Sequence, residues 1–391
     1  MDIPSTLLSR TAVRGKREGA SYAANLGGRG RRAVASYVGR PGPLHDHQSR
    51  EEPKVNDWRI YRGVGQPHDG MRRLPAPPPW RDFAASRDGG DSGPEDPSSP
   101  RRLGVRRRLV ENYAPRPAEV DAVNAALYLR RPLLVTGNPG TGKSTLAYAI
   151  AHELGLGKVL RWPIVSRTTL QDGLYRYDAI ARLQDVQLER ARGDDRGAAA
   201  SGIGSYIRLG ALGTALLPAE QPRVLLIDEL DKSDLDLPND LLNTLEEGEF
   251  SVPELERLAD REPVVEVLTH DGDRVAVRGG RVACTAFPVI VMTSNGERDF
   301  PAPLLRRCVQ LELDPPGEEQ LTAMVEAHLG ADGVAAGSDL IRRFLEREPG
   351  EVLAADQLLN ALFLTQHDPH AQGLTRERIA EMLMQPLDRT R

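Results

Sequence analysis

The stretch "GNPGTGKST", Gly137 to Thr145, follows directly on "RPLLVT" and runs straight into "LAYAIAHELG". The residues before it spell a short buried strand, and those after it spell a helix stopped by Gly155. Between them the loop matches G-x-x-x-x-G-K-[ST], with Gly137, Gly142, Lys143 and Ser144 in the required places. Glycine lets backbone N–H groups converge on phosphate oxygens, and the following helix N-terminus adds partial positive charge. The expected phosphate cradle is therefore Gly137, Asn138, Pro139, Gly140, Thr141, Gly142, Lys143, Ser144 and Thr145. Lys143 would place its charge between the β- and γ-phosphates of ATP, and the Ser144 hydroxyl would hold Mg²⁺. Only five lysines occur against 46 arginines, which makes a lysine at this position less of an accident.

Working outward, strands alternate with helices. "PAEVDAVNAALYLRR" predicts an amphipathic helix before the loop, and "KVLRWPIVS" a strand after it. "LYRYDAIARLQDVQLERAR" predicts a helix, "RVLLIDEL" a strand, "PNDLLNTLEEGE" a helix and "FPVIVMTSN" a strand. "PAPLLRRC" is a helical turn and "VQLELD" the last strand. This order implies an α/β fold whose parallel sheet is covered on both faces. One piece interrupts it: "VVEVLTHDGDRVAVRGG", residues 264–280, predicts a hairpin about an Asp-Gly turn. After Pro316 four helical patterns remain, enough for a small all-helical domain.

A hydrolytic nucleotide site needs a carboxylate on a neighbouring strand, and "VLLIDE" supplies Asp228 and Glu229 at the strand's C-terminal end. Asp228 would be a second metal-side group, and Glu229 would polarise the attacking water. Asn295, ending "VMTSN", is able to hydrogen-bond the γ-phosphate or that water. Arg306 and Arg307 stand just before the last strand, where a guanidinium fork could neutralise transferring charge. The acidic run "DELDKSDLDLPND" lacks the turn glycine and terminal Glu of a calcium loop. "GIGSYIRLG" does not follow a predicted strand and so is no dinucleotide fingerprint.

Residues 1–110 carry 21 Lys+Arg against 12 Asp+Glu, whereas the rest carries 30 against 44. Residues 1–100 lack apolar periodicity and are rich in Gly, Arg, Pro and Ser, so they are expected to be a disordered basic region and linker. Trp58, Tyr61 and Trp80 break that background, and could dock onto a partner or back onto the folded body. No apolar run approaches membrane-span length, and Cys284 and Cys308 have no metal-ligand spacing. A cytoplasmic setting is expected.

Together these motifs resemble the AAA+ ATPases: "GNPGTGKS" their Walker A, "VLLIDE" their Walker B, "VMTSN" their sensor 1 and "PAPLLRRC" their arginine-finger segment. "LLIDELDKSDLDLPNDLLNTLEEGEF", the inserted hairpin and "TSNGERDFPAPLLRRC" resemble the MoxR-like branch. The resemblance covers residues 113–391. It implies an αβα P-loop core over 101–314 and a helical lid over 315–391, commonly assembled as a hexamer. It also implies chaperone-like remodelling of a partner protein, often beside von Willebrand factor A domain proteins. On this pattern Ser144 and Asp228 are metal-side, and Glu229, Asn295 and Arg307 are catalytic, with Arg306 the fallback finger. Ser166 is placed to hydrogen-bond Glu229. Two departures stand out. "VLAADQLLNALFL" offers no sensor 2 arginine, and "TTLQDGLYRYD" holds no clear pore motif, although Tyr175 and Tyr177 could grip a polypeptide or pack. The alternatives are a nucleotide-dependent switch or adaptor, and a nucleic-acid motor using the basic arm; nucleic acid is not the expected partner.

Overall fold

Alternating buried side chains along the central strands make two apolar faces, and the rest of the core covers them. The computed structural model describes residues 58–77, 113, 115–191, 202–346, 353–367 and 376–385. The strands among these are β1 (Leu133–Gly137), β2 (Leu160–Pro163), β3 (Tyr175–Tyr177), β4 (Ile207–Leu209), β5 (Val224–Asp228), β6 (Glu249–Ser251), β7 (Val264–Leu268), β8 (Arg274–Arg278), β9 (Arg281–Ala283), β10 (Val289–Ser294) and β11 (Val309–Leu313). The helices are α1 (Pro117–Leu129), α2 (Lys143–Glu153), α3 (Leu170–Leu174), α4 (Ala179–Ala191), α5 (Ala211–Ala215), α6 (Asp236–Glu247), α7 (Pro253–Glu256), α8 (Ala302–Arg307), α9 (Glu318–Leu345), α10 (Ala355–His367) and α11 (Arg376–Leu383). None of them is long and apolar enough to cross a membrane.

Five strands form a parallel sheet in the order β11-β1-β10-β5-β2. Crossovers cover both faces of such a sheet, so its strands are apolar throughout rather than alternating. Leu133 and Val135 of β1, Leu226 of β5 and Val291 of β10 meet Val123 and Leu127 of α1 and Leu146 and Ile150 of α2. Leu134, Leu225, Ile227, Ile290 and Met292 face the other way, onto Leu212 of α5 and Leu237 and Leu241 of α6. The result is the expected αβα core. β1 lies between the two later strands β10 and β11, so the chain leaves it at a switch point, where a crevice opens at the carboxyl ends.

The hairpin is present, but in a larger setting. β7 and β8 pair antiparallel from Val264↔Arg278 to Leu268↔Arg274, within a six-stranded sheet of order β3-β4-β7-β8-β9-β6. The helix expected from Leu174 onward is divided: Tyr175–Tyr177 is strand, and the helix begins at Ala179. Tyr175 is buried, stacks on Phe250 with ring centroids 6.4 Å apart, and donates its hydroxyl to Glu254. That tyrosine is a packing residue, with burial raising its pKa to about 12.

The four helical patterns after Pro316 fold as expected. Gly330, at φ 76°, kinks α9 into two helices, which pack with α10 through Leu321, Val325, Leu340, Ile341, Phe344, Leu358 and Leu362.

The expectation of disorder over 1–100 fails for residues 58–77. Ile60 and Tyr61 are each 1% exposed within the α1/α2 core. Backbone N–H groups of both donate to the buried Asn124 Oδ1, whose Nδ2 donates to Tyr61 O and Val120 O. Trp58 stands edge-on to Tyr128. Of the aromatics left open between partner and body, Trp58 and Tyr61 dock on the body. Trp80, the 89–100 linker and the remaining basic arm lie outside the described residues.

Candidate functional site

The phosphate loop joins the end of β1 to the start of α2, and Gly142 makes the junction. It sits at φ 89°, a left-handed backbone that side chains disfavour, and is the N-cap of α2. Lys143 is 8% exposed and donates from Nζ to Gly137 O at 2.6 Å and Asn138 O at 2.7 Å. The ammonium is thus folded onto its own loop. Burial lowers its pKa, against the charges of Asp231, Asp228 and Glu229, which favour the protonated form.

β5 ends beside this loop. Ser144 Oγ donates to Asp228 Oδ1 at 2.7 Å, joining the two motifs across 84 residues of chain. Thr293 Oγ1, from β10, donates to the same oxygen at 2.9 Å and accepts from the Glu229 backbone N–H. Arg161, on β2, forks onto the other oxygen, Asp228 Oδ2, with Nε at 3.0 Å and Nη2 at 2.6 Å. Burial alone would raise the Asp228 pKa, but hydrogen bonds from Ser144, Arg161 and Thr293 outweigh it and hold the carboxyl ionised below its usual range.

Glu229 occupies a left-handed backbone, φ 63° and ψ 50°, uncommon outside glycine and stored most often at functional sites. Its carboxylate is 45% exposed and accepts from Lys232 Nζ at 2.8 Å. Its partner is therefore Lys232 and not Ser166, which the strand-end position had suggested. Asn295 follows directly on the last residue of β10, and its backbone N–H donates to Asp231 Oδ2 at 2.8 Å. Arg307 is turned elsewhere, donating to Glu246 on α6 and to Pro303 O. Arg306 is exposed on α8.

A cleft lies between the loop and the helical domain, lined by Tyr113, Glu119, Thr141, Gly142, Thr145 and Gln320 among others. Tyr113 donates its hydroxyl to Glu119 Oε2 at 2.8 Å. The helical domain meets the loop through Ala354 and Ala355: a Cβ on Gly140 would stand 2.6 Å from Ala355 N.

Residues 132–308 match the family model of the AAA domain, dynein-related subfamily. The fold is AAA+. The matched AAA domain runs from the residue before β1 to Cys308, so it contains the loop, Asp228, Glu229, Asn295, Arg306 and Arg307, and excludes the helical domain and the 58–77 segment. No curated protein matches the chain. Among solved structures, NtrX from Brucella abortus in complex with ADP is similar at 17% identity over 67% of this chain, with a TM-score of 0.34. The chain spans about half the length of that relative, 51%.

Arg161, Thr293 and Asp231 escaped the sequence reading of this AAA domain. Thr293 stood inside a quoted motif but looked like strand. Arg161 left one signal, a lone arginine between the apolar Leu160 and Trp162 of β2, where alternation turns it toward the edge of the site.

Proposed function

We propose that the chain binds and hydrolyses ATP with Mg²⁺, working in the cytoplasm as a homo-oligomer, with a hexamer expected, that remodels a partner protein. The observation that carries this reading is the 2.7 Å contact between Ser144 Oγ and Asp228 Oδ1 at the mouth of the phosphate loop. A hydroxyl and an ionised carboxylate side by side form the all-oxygen donor set that suits Mg²⁺. When bound, Mg²⁺ neutralises charge shared by the β- and γ-phosphates. Lys143 gives up Gly137 O and Asn138 O for the phosphates, Glu229 takes the proton of the attacking water, and Asn295 orients the terminal phosphoryl. Arg307 is the finger offered to a neighbouring subunit once it leaves Glu246, with Arg306 the fallback. The MoxR-like branch, and with it a von Willebrand factor A domain partner, is supported by the inserted hairpin and the "TSNGERDFPAPLLRRC" segment.

Arg161 holds the second oxygen, Asp228 Oδ2, and so competes with a cation for the charge of the same carboxylate. Arg161→Gln is expected to lower the Mg²⁺ concentration needed for half-saturation in fluorescent-ADP titrations. The pair is worth little more than a surface ion pair, because the arginine is 47% exposed, so the shift is roughly three- to tenfold. An unchanged midpoint would mark the pair as incidental.

The test of the whole reading is a mixing experiment. Arg307→Ala and Lys143→Ala proteins should each hydrolyse ATP poorly alone. Mixed, they should regain turnover, because the second still presents Arg307 to intact sites on the first. Wild-type turnover without recovery on mixing would argue against a finger acting between subunits. A second reading, a nucleotide-dependent switch, is favoured by the helical-domain stretch "VLAADQLLNALFL", which carries no arginine to close over a nucleotide. It predicts wild-type turnover near zero, alone and with added partner.

A further inference from the structure

Thr293 lies within β10 and is 1% exposed. Alternation along the strand puts it on the face of Val289 and Val291, which packs against α1 and α2. Valine would suit that face by shape, since it differs from threonine in carrying a methyl where the hydroxyl stands. A hydroxyl taken out of water costs free energy unless its hydrogen bonds are made. Both are made here, and both go to the chain where β5 ends. Thr293 Oγ1 donates to Asp228 Oδ1 and accepts from the Glu229 N–H, each at 2.9 Å. An ionised carboxylate is acceptor-only, so Asp228 fixes the hydroxyl hydrogen on its own side and leaves a lone pair for the Glu229 N–H.

Glu229 needs such a hold. With Arg130 it is one of the two described residues other than glycine that have positive φ. A residue in so sparsely populated a region persists there only when its surroundings enforce it. The β5–β10 ladder pairs residues as far as Ile227 and Met292, so Glu229 lies beyond its support. The Glu229 carbonyl accepts from the Lys232 N–H at 3.0 Å, inside the turn that follows. The Glu229 N–H is the backbone group tied across to another strand, and Thr293 is what it is tied to. The direction in which a side chain leaves the backbone is set by φ and ψ. A backbone relaxed to the extended or right-handed region at this position would aim the carboxylate elsewhere.

We propose that Thr293 is a positioning residue of the hydrolytic site: its hydroxyl, oriented by Asp228, holds the Glu229 backbone in the left-handed turn and so aims the carboxylate of the base. The role is exerted through Glu229, and no proton moves to or from Thr293. One hydroxyl thereby couples the metal-side carboxylate to the base beside it. This rests on the ATP-hydrolysing reading above, with Glu229 as the base.

Thr293→Val keeps the shape and removes the hydroxyl, whereas Thr293→Ser keeps the hydroxyl. Both are made in the full chain, and the valine also in the Glu229→Gln background. Fluorescent-ADP affinity and single-turnover ATP cleavage are measured below the lowest melting temperature of the set. For Thr293→Val, cleavage is expected to slow roughly ten- to hundredfold, the cost of a displaced catalytic group, with the ADP Kd within about threefold of wild type. Thr293→Ser should cleave within about threefold of the wild-type rate, because its hydroxyl makes the same two bonds. In the Glu229→Gln background no base is left to aim, so the valine should slow cleavage by no more than about twofold, the non-additivity of residues that act as a unit. An equal fold loss in both backgrounds would mark a general defect and overturn the proposal. So would a serine variant as slow as the valine one, or valine cleavage within about twofold of wild type. Should the valine protein fail to fold, Thr293→Cys, of similar shape with a weaker donor and acceptor, takes its place in the same cycle. Wild-type protein that binds no nucleotide, or a Glu229→Gln variant that cleaves at the wild-type rate, removes the underlying reading and this role with it. Equal losses in an enzyme that does hydrolyse ATP remove this role alone.

Discussion

Glu229→Gln is expected to bind Mg-ATP as tightly as wild type and to turn it over about 10²- to 10⁴-fold more slowly, the usual contribution of a positioned general base. The argument rests on what the substitution leaves in place. The Glu229 backbone N–H stays on Thr293 Oγ1, so the left-handed turn after β5 survives and Asp228 keeps its partners. Its side-chain partner among the described residues, Lys232, belongs to an ion pair that is exposed on both sides. Such pairs are worth at most about 1 kcal/mol, so neither losing the pair in the variant nor releasing it in the wild type is a barrier. Lys143→Ala should behave oppositely, because it removes the buried cation of the phosphate loop: nucleotide binding itself should be lost. Phosphate release and fluorescent-nucleotide titration on the two variants separate these cases. Equal turnover in wild type and Glu229→Gln would remove the proposed base.

What could be read without coordinates follows from how local each signal is. The phosphate loop is nine contiguous residues flanked by the right elements, and the Asp228 strand is an apolar run ending in acid, so both declare themselves within a window. Their meeting, Ser144 against Asp228, depends on a strand order the sequence does not spell, with β10 standing between β1 and β5. The helical domain was legible for the same reason, two 3.6-residue patterns on either side of Gly330. The second sheet was not, since β3, β4, β6 and β9 are three residues each, too short to display a period of two. Tyr175 then looked like the start of the following helix. Arg161 and Asp231 are single polar residues whose work is done through partners 67 and 64 positions away. No spacing rule reaches that far. The 58–77 segment hid most completely, because its order comes from contacts with Asn124 and Glu153, each an ordinary polar residue in a helical pattern.

Glu153→Ala is expected to release that segment while leaving the core folded. Glu153 lies at the end of α2 with its side chain 0% exposed. Its Oε1 accepts from the N–H groups of Arg62 at 2.6 Å and Gly63 at 3.1 Å, and its Oε2 from Val64 at 2.7 Å and Gly65 at 3.2 Å. The His68 ring reaches Oε1 at 3.1 Å. Four successive N–H groups converge on one anion only if the backbone curls. Gly63 and Gly65 supply that curl at φ 71° and 66°, and a Cβ on Gly63 would meet Pro115 at 2.2 Å. Deleting the carboxylate strands one buried and three part-buried donors at up to about 1–3 kcal/mol each, a sum larger than a twenty-residue segment anchored by Ile60 and Tyr61 can sustain. The segment therefore peels away and hands its donors to water, which caps the loss at its own docking free energy, about 3–5 kcal/mol by analogy with broken buried charge contacts. The measurement is limited trypsin cleavage at Arg62, Arg72 and Arg73, fast in the variant and slow in wild type, alongside nucleotide affinity. Tyr61 and Asn124 brace α1, whose first turn carries Glu119 into the cleft beside the phosphate loop, so nucleotide affinity is expected to weaken as the segment comes free. Cleavage at the wild-type rate would mean that Asn124 and the two buried apolar side chains hold the segment unaided. Fast cleavage with unchanged affinity would mean that the brace ends at α1 and does not reach the nucleotide.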